Sequence, residues 1–199
     1  MRFSEISKHL GNFRVGIAGA GGLGSNCAAA LARSGVGTLV IADFDTIEPA
    51  NLNRQYYFTD QVGLAKVDAI SDNLRRINPG ITVIPHKIIL TAENIPEVFS
   101  GSDVIVEAFD QASEKEMLIE TVQKMMPGIP LIVGSGMAGW GNTDLLRCRK
   151  IDDFLYVCGD ESSEVSEDLP PMAPRVGIVS NMQANLVIEI LLKKVKENF

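Results

Sequence analysis

Apolar residues in this chain follow two rhythms, short unbroken runs and longer stretches where they recur every three or four positions, and the two alternate over most of its length. Arg14–Ala18 is a short apolar run, Gly22–Ser34 carries a helical pattern of small residues, and Thr38–Ala42 is a second run after the turn Gly35-Val36-Gly37. This order predicts a βαβ unit, because the connection is too long for a hairpin and strands this apolar suit a parallel sheet covered on both faces. The alternation continues with a helix over Lys66–Ile77 closed by Asn78-Pro79-Gly80, a strand over residues 82–87, a short helix around 92–100 and a strand over 103–108. A helix near 113–126 ends at Pro127-Gly128, and residues 130–133 read as one more buried strand.

Past residue 134 the rhythm changes. Residues 134–142 hold four glycines and Trp140, then residues 144–149 predict a strand running against the others and pairing with 154–158. The acidic, proline-containing stretch 159–174 has neither period and is expected to be an exposed, mobile loop able to act as a lid. Ile178, Val179, Met182, Leu186, Val187, Ile190 and Leu191 then recur at helical spacing, predicting a long C-terminal helix that closes on residues 193–196. The expected fold is α/β, a Rossmann-like doubly wound, mainly parallel sheet with an antiparallel edge.

A chain of 199 residues with 46% hydrophobic content buries one sizeable core, so a single domain over residues 1–199 is expected. The net charge of −7 and the absence of a long Lys/Arg cluster argue against a nucleic-acid surface. No apolar run reads as a membrane span and residues 1–11 do not read as a signal peptide, which predicts a soluble cytoplasmic protein without membrane partners. Cys27, Cys148 and Cys158 include no C-x-x-C pair, so neither a disulfide framework nor a four-thiolate structural zinc is expected.

Between the first predicted strand and helix lies Gly19-Ala20-Gly21-Gly22-Leu23-Gly24-Ser25. Glycines there let backbone amides and a helix N-terminus approach a phosphate closely, although such a turn also serves merely to pack a helix against its sheet. Asp43, at the carboxyl end of the second strand, suits ribose hydroxyls or, alternatively, a turn or helix cap. These two features alone fit a nicotinamide-dependent oxidoreductase. They leave unexplained the continuation Asp43-Phe44-Asp45-Thr46-Ile47-Glu48-Pro49-Ala50-Asn51-Leu52-Asn53-Arg54-Gln55 and the later Gly63-Leu64-Ala65-Lys66.

In order and spacing, these three motifs resemble the ATP site of the ThiF, MoeB and HesA family, relatives of the ubiquitin-activating enzymes. The resemblance covers most of the chain, extending to residues 103–110 and 172–191. It implies ATP-dependent adenylation, with Mg²⁺, of the C-terminal Gly-Gly carboxylate of a small ubiquitin-like sulfur carrier, with release of pyrophosphate. The ThiF branch serving thiamine synthesis is the most similar, with the MoeB branch for molybdopterin and a non-catalytic carrier-binding module as alternatives. Carried over residue by residue, the resemblance implies that Gly19, Gly21, Gly22 and Gly24 cradle phosphate and Asp43 meets the ribose. Arg54 and Lys66 neutralise the outer phosphates, Asn51 and Gln55 donate to them, Asp110 is the Mg²⁺ ligand with Ser113 capping the helix behind it, and Gln111 contacts adenosine. Asp45 is left to shape its loop.

The family is typically a homodimer, and its members often add an arginine from an N-terminal helix of the second subunit. This chain is expected to begin close to its first strand, which leaves Arg2 and Arg14 for that task. Some relatives also pass the carrier to a cysteine before the closing helix, but residues 161–172 contain none. Asp160 and Glu161 beside Cys158 should raise its thiol, Cys148 lies between Arg147 and Arg149 on a strand expected to be buried, and Cys27 should be helix core.

Overall fold

The computed structural model describes residues 2–197. Its first element was not legible in the sequence: α1 (Phe3–Leu10) precedes the first strand, starting where the Arg2 amide donates to Glu5 Oε2 at 2.7 Å and ending with a fully buried Leu10. A helix therefore precedes β1, the strand over Arg14–Ala18, and Arg2 stands at the start of that helix.

The predicted alternation follows as β1 (Arg14–Ala18), α2 (Gly22–Ser34), β2 (Thr38–Ala42), α3 (Lys66–Ile77), β3 (Thr82–His86), α4 (Ile95–Val98), β4 (Val104–Glu107), α5 (Ala112–Met125) and β5 (Leu131–Gly134). After a 3₁₀ turn at Thr143–Leu145 come β6 (Arg147–Lys150), β7 (Leu155–Gly159) and α6 (Ala173–Glu197). The seven strands form one sheet in the order β3-β2-β1-β4-β5-β7-β6, parallel except for the antiparallel edge pair β6/β7. Chain direction across the sheet reverses between β1 and β4, the crevice where open α/β sheets bind ligands.

Both faces are covered, as the unbroken apolar strands require. Val15, Ile17, Val104 and Val106 face the core shared with α1, α2, α3 and α6, while Ile105 on the opposite face meets Phe99, Leu118 and Val122. Phe99 is wholly buried against Gly16, where any side chain would strike its ring, and its burial contributes roughly 2–3 kcal/mol. The helix α6 corrects the sequence reading on one point: residues Ala173–Lys194 are long and apolar enough, by length and composition, to cross a membrane. Here the helix packs along the alanine-rich α2, burying Val176, Val179, Ala184, Val187 and Leu191. It also begins earlier than its apolar period, at Ala173, because Pro174 fits a first helical turn that needs no amide donor.

Candidate nucleotide site

Three of the predicted features meet at the carboxyl ends of adjacent strands: the glycine turn after β1, Asp43 after β2 and Asp110 after β4. The four glycines do different work. Gly24 sits where a Cβ would lie 1.9 Å from the Gly19 carbonyl oxygen, and Gly19, at φ +99°, would meet the Ala108 carbonyl oxygen at 2.8 Å. Those two are demanded by the packing of turn, helix and β4. Gly21 is different, since a Cβ there would find only Gln55 Nε2, at 3.8 Å, so its face is open to a ligand. Gly21 is also the N-cap of α2 without a side-chain capping bond, which leaves the first-turn amides of this helix available to an anion.

The loop that follows β2 is bolted onto this turn. Ser25 Oγ accepts from the Tyr56 amide at 2.9 Å, Asn26 Nδ2 donates to the Arg54 carbonyl at 2.9 Å, and buried Tyr57 donates its hydroxyl to the Ala20 carbonyl at 2.7 Å. Burial first, then the charges of Asp43 and Asp45, raise the Tyr57 hydroxyl far above its ordinary value, so it stays a donor. The result brings the aliphatic stem of Arg54 over Gly22, with its Cγ 3.6 Å from where a Cβ would stand. The Arg54 guanidinium is steadied by Asn53 Oδ1 at 2.8 Å.

Not every predicted ligand is free. Asp43 accepts from the Ala20 amide at 2.6 Å and from the Asp45 amide at 2.8 Å, so the turn-fixing role of this carboxylate is realised. Asn51 Oδ1 likewise accepts from the Glu48 amide at 3.0 Å and shapes its own turn. Lys66 is only 6% exposed and pairs with Asp45 Oδ2 at 2.6 Å, which makes Asp45 the charge partner of a site lysine rather than a loop former alone. Gln55 lies buried over Gly21 with its Oε1 unpartnered, an acceptor that a bound hydroxyl or amino group would satisfy. Sequence reasoning missed Asn26 and Tyr57 and left Asp45 to shape its loop; only the clustering of polar residues near a glycine turn hinted at the first two.

At the end of β4, Asp110 is exposed. Ser113 does not cap α5, which starts at Ala112 with Gln111 as an exposed N-cap making no side-chain bond. The loop is instead set by Glu107, wholly buried, which accepts from the Phe109 amide at 2.7 Å, from the Gly134 amide at 3.2 Å and from Lys115 Nζ at 2.5 Å. Burial pushes the Glu107 carboxyl up, and Lys115 opposes it. Across the crevice, Glu114 is raised by burial first and then by facing Asp110, Asp45 and Asp43. No group of three or more His, Cys, Asp or Glu side chains among the described residues is arranged to hold a metal ion.

The cysteines differ from expectation. Cys148 is exposed on the edge strand, and its thiol is lowered by a hydrogen bond with Cys158 rather than by the neighbouring arginines. Cys158 is buried and raised, first by the Cys148 contact and then by burial, not by Asp160 or Glu161. Cys27 is helix core, as expected.

Comparison with known proteins shows the family. A profile described as the ThiF family matches residues 3–199. The chain is 34% identical over 193 residues to an adenylyltransferase and sulfurtransferase, MOCS3, of Caenorhabditis briggsae, covering 94% of this chain and 47% of that protein. The chain thus spans about half the length of that relative. It is 31% identical over 192 residues to the molybdopterin-synthase adenylyltransferase of Salmonella typhimurium, covering 94% of this chain and 76% of the relative. In fold it resembles the E. coli tRNA N6-threonylcarbamoyladenosine dehydratase TcdA in complex with ATP, with a TM-score of 0.87, 21% identity, and coverage of 98% of this chain and 92% of that one. The chain belongs to the ThiF family.

Proposed function

We propose that this chain is an adenylyltransferase that uses ATP to activate the C-terminal Gly-Gly carboxylate of a small ubiquitin-like sulfur carrier as an acyl-adenylate, releasing pyrophosphate. The observation that carries the reading is the meeting of an uncapped helix N-terminus, the stem of Arg54 and the Asp110 loop at one crevice of the sheet. The open face of Gly21 and the unpartnered Gln55 Oε1 fit a nucleotide lying across the turn.

In this reading the α2 amides and Arg54 neutralise phosphate oxygens, and Lys66 adds charge from within its pair with Asp45. A carrier α-carboxylate, with a pKa of roughly 3.3–3.7, is already ionised at neutral pH and needs no base to attack the α-phosphorus. Orientation and neutralisation of the departing pyrophosphate then supply most of the acceleration. Mg²⁺ is the ion that the hard, exposed carboxylate of Asp110 suits, in a crevice whose negative charge is felt by Glu114, raised by burial first and then by Asp110, Asp45 and Asp43. Asp110 would hold it, and the ion would supply charge neutralisation.

The finer assignment is a thiamine-type carrier, the branch that the motifs at residues 19–25, 43–55 and 63–66 most resemble. The match to a molybdopterin-synthase adenylyltransferase over most of its length favours a molybdopterin-type carrier as the second reading. A second copy of the chain is the natural partner for Arg2 at the head of α1, and sedimentation showing monomer alone would remove that element.

The test is exchange of labelled pyrophosphate into ATP with Mg²⁺ and each carrier in turn. Exchange that needs one carrier supports the reading and assigns the branch. Asp110→Ala should abolish exchange while keeping the unfolding midpoint. Binding of NADH without ATP would overturn adenylation, and tight carrier binding without exchange would leave only a binding module.

A further inference from the structure

Cys148 on β6 and Cys158 on β7 stand opposite each other in the antiparallel pair, with their Sγ atoms 2.8 Å apart. The Ile151 amide donates to the Leu155 carbonyl at the hairpin end. By the alternation of an antiparallel ladder, the two cysteines therefore occupy a non-hydrogen-bonded pair, the closer kind, with Cα atoms about 4.5 Å apart. That lies at the short end of the roughly 4.4–6.8 Å a disulfide spans. No backbone movement is needed to join them.

The pair is also asymmetric in the way thiol exchange requires. Cys148 is exposed and its thiol is lowered by the hydrogen bond with Cys158, whereas Cys158 is buried and raised. An accessible, readily ionised sulfur stands in front of a sheltered one. Cys148 borders an open groove of about 710 Å³ along α6, lined by the apolar Pro174, Ile178 and Met182 and by the amides Asn181 and Asn185. Such a groove has room for a small molecule against the sulfur. None of these residues belongs to the nucleotide site, and adenylation leaves both thiols unused.

We propose that Cys148 and Cys158 form a redox-active dithiol whose substrate is a low-molecular-weight disulfide received in this groove, with Cys148 attacking and Cys158 resolving. The Cys148 thiolate bonds to one sulfur of the small disulfide and breaks its S–S bond, and the released half takes up the proton that Cys148 lost. Cys158 then bonds to Cys148 Sγ, breaks the mixed disulfide, and its proton leaves with the second half. Two protein thiols are oxidised to one disulfide by two electrons, and one small disulfide is reduced to two thiols. The bond cross-links the β6/β7 hairpin and is reversed by excess small thiol.

Equilibration of the whole chain in glutathione/glutathione disulfide mixtures, followed by acid quench, denaturation, thiol titration and intact mass, tests this. The three free thiols should fall to one in a single step. The mass should drop by two hydrogens without a glutathione adduct, digestion should yield a linked pair of peptides bearing Cys148 and Cys158, and dithiothreitol should restore all thiols. Cys27→Ser should fall from two thiols to none, and Cys158→Ser should stop at a glutathione adduct on Cys148. Cys148→Ser, an exposed change, should take up no glutathione. A wild-type chain that accumulates the Cys148 adduct while Cys158 stays alkylatable would overturn the proposal. So would three surviving thiols in a mixture that modifies Cys148 of Cys158→Ser, or loss of the linkage in Cys27→Ser.

Discussion

The two ends of the sheet are built on opposite plans. Around β1, β2 and α3 a set of polar side chains is tied to backbone or to another side chain: Asp43 to the glycine turn, Tyr57 to Ala20, Lys66 to Asp45, Gln61 to Asn73. Around β5, β7 and the loops that leave them, Trp140, Leu145, Val165 and Met172 stand exposed on irregular backbone, with Gly136, Gly139 and Gly141 all at positive φ. A site for a small polyanion gains from donors fixed in advance. A surface that receives an extended peptide gains more from apolar side chains waiting to be covered. The difference teaches where each ligand of the proposed reaction would lie, and it can be broken from either side.

The largest effect should come from the joint between the two regions. Arg175, at the start of α6, donates to Asp160 after β7 and to the Gly141 carbonyl, and the ion pair's side chains are only 5% and 3% exposed. The next residue, Val176, lies against Gly22 of the nucleotide turn. Removing one member of a buried pair strands the other charge, so Arg175→Met should cost about 3–5 kcal/mol in urea unfolding. The acid limb of stability should change with it. Burial alone would raise the Asp160 carboxyl, but the amides of Ser163 and Ser162, the Ser163 hydroxyl and Arg175 hold it well below the ordinary value. A depressed folded pKa contributes stability above the unfolded value, roughly 3.9, and loses it as pH falls further. Stability of the wild type should thus drop steeply below about pH 4, and Arg175→Met should lessen that slope in part, because the Ser163 and Ser162 amides and the Ser163 hydroxyl keep the carboxyl low. An unchanged slope would mean that the pair is not the joint.

Next in size is a contrast within the glycine turn. Gly24→Ala places a methyl on the Gly19 carbonyl and should destabilise the fold by about 1–3 kcal/mol or more. Gly21→Ala meets open space, so it should fold with wild-type stability and lose about 1.5–3 kcal/mol of ATP affinity, the scale of a hydrogen bond to a charged group. Calorimetric titration with ATP beside thermal unfolding separates the two. Equal loss of stability in both variants would erase the distinction between packing glycines and a ligand-facing one.

That contrast also explains what was legible in advance. The order of strands and helices, the parallel sheet and its antiparallel edge are written in local periodicity, which is how Arg14–Ala18, Gly22–Ser34 and Thr38–Ala42 were placed to the residue. The site residues were implied by the family resemblance, and the fold sets the glycine turn, Asp43 and Asp110 at the ends of adjacent strands with Arg54 and Gln55 over the turn. Their partners were not legible, because Lys66–Asp45, Tyr57–Ala20 and Arg175–Asp160 are made by the fold across 21, 37 and 15 positions. The helix α1 escaped for another reason: it is amphipathic, with Leu10 buried and Ile6 packed against the core, but at eight residues it is shorter than the stretches over which a helical period is read. Cys148 was expected to be buried on its strand although that strand was read as an antiparallel edge, and on β6, the outermost strand, it is exposed.

The smallest effect belongs to the exposed side of the comparison. Trp140 is 67% exposed, preceded by Gly139, which is packed under Leu169 of the acidic loop, and followed by Gly141, whose carbonyl accepts from Arg175. The indole is therefore held at the rim by fixed neighbours while its own face is uncovered. Trp140→Ala removes surface without disturbing those anchors, so folding and ATP affinity should stay within error. If the carrier's tail crosses this rim, truncating an indole that it covers should raise the half-saturating carrier concentration in pyrophosphate exchange by roughly tenfold, equivalent to about 1–2 kcal/mol at an interface aromatic. The maximal rate at saturating carrier should be retained, because the phosphate-binding turn is untouched. A fall in maximal rate with unchanged half-saturation would put Trp140 in the chemistry rather than at the dock, and no change in either would move the carrier's path away from residues 139–141 altogether.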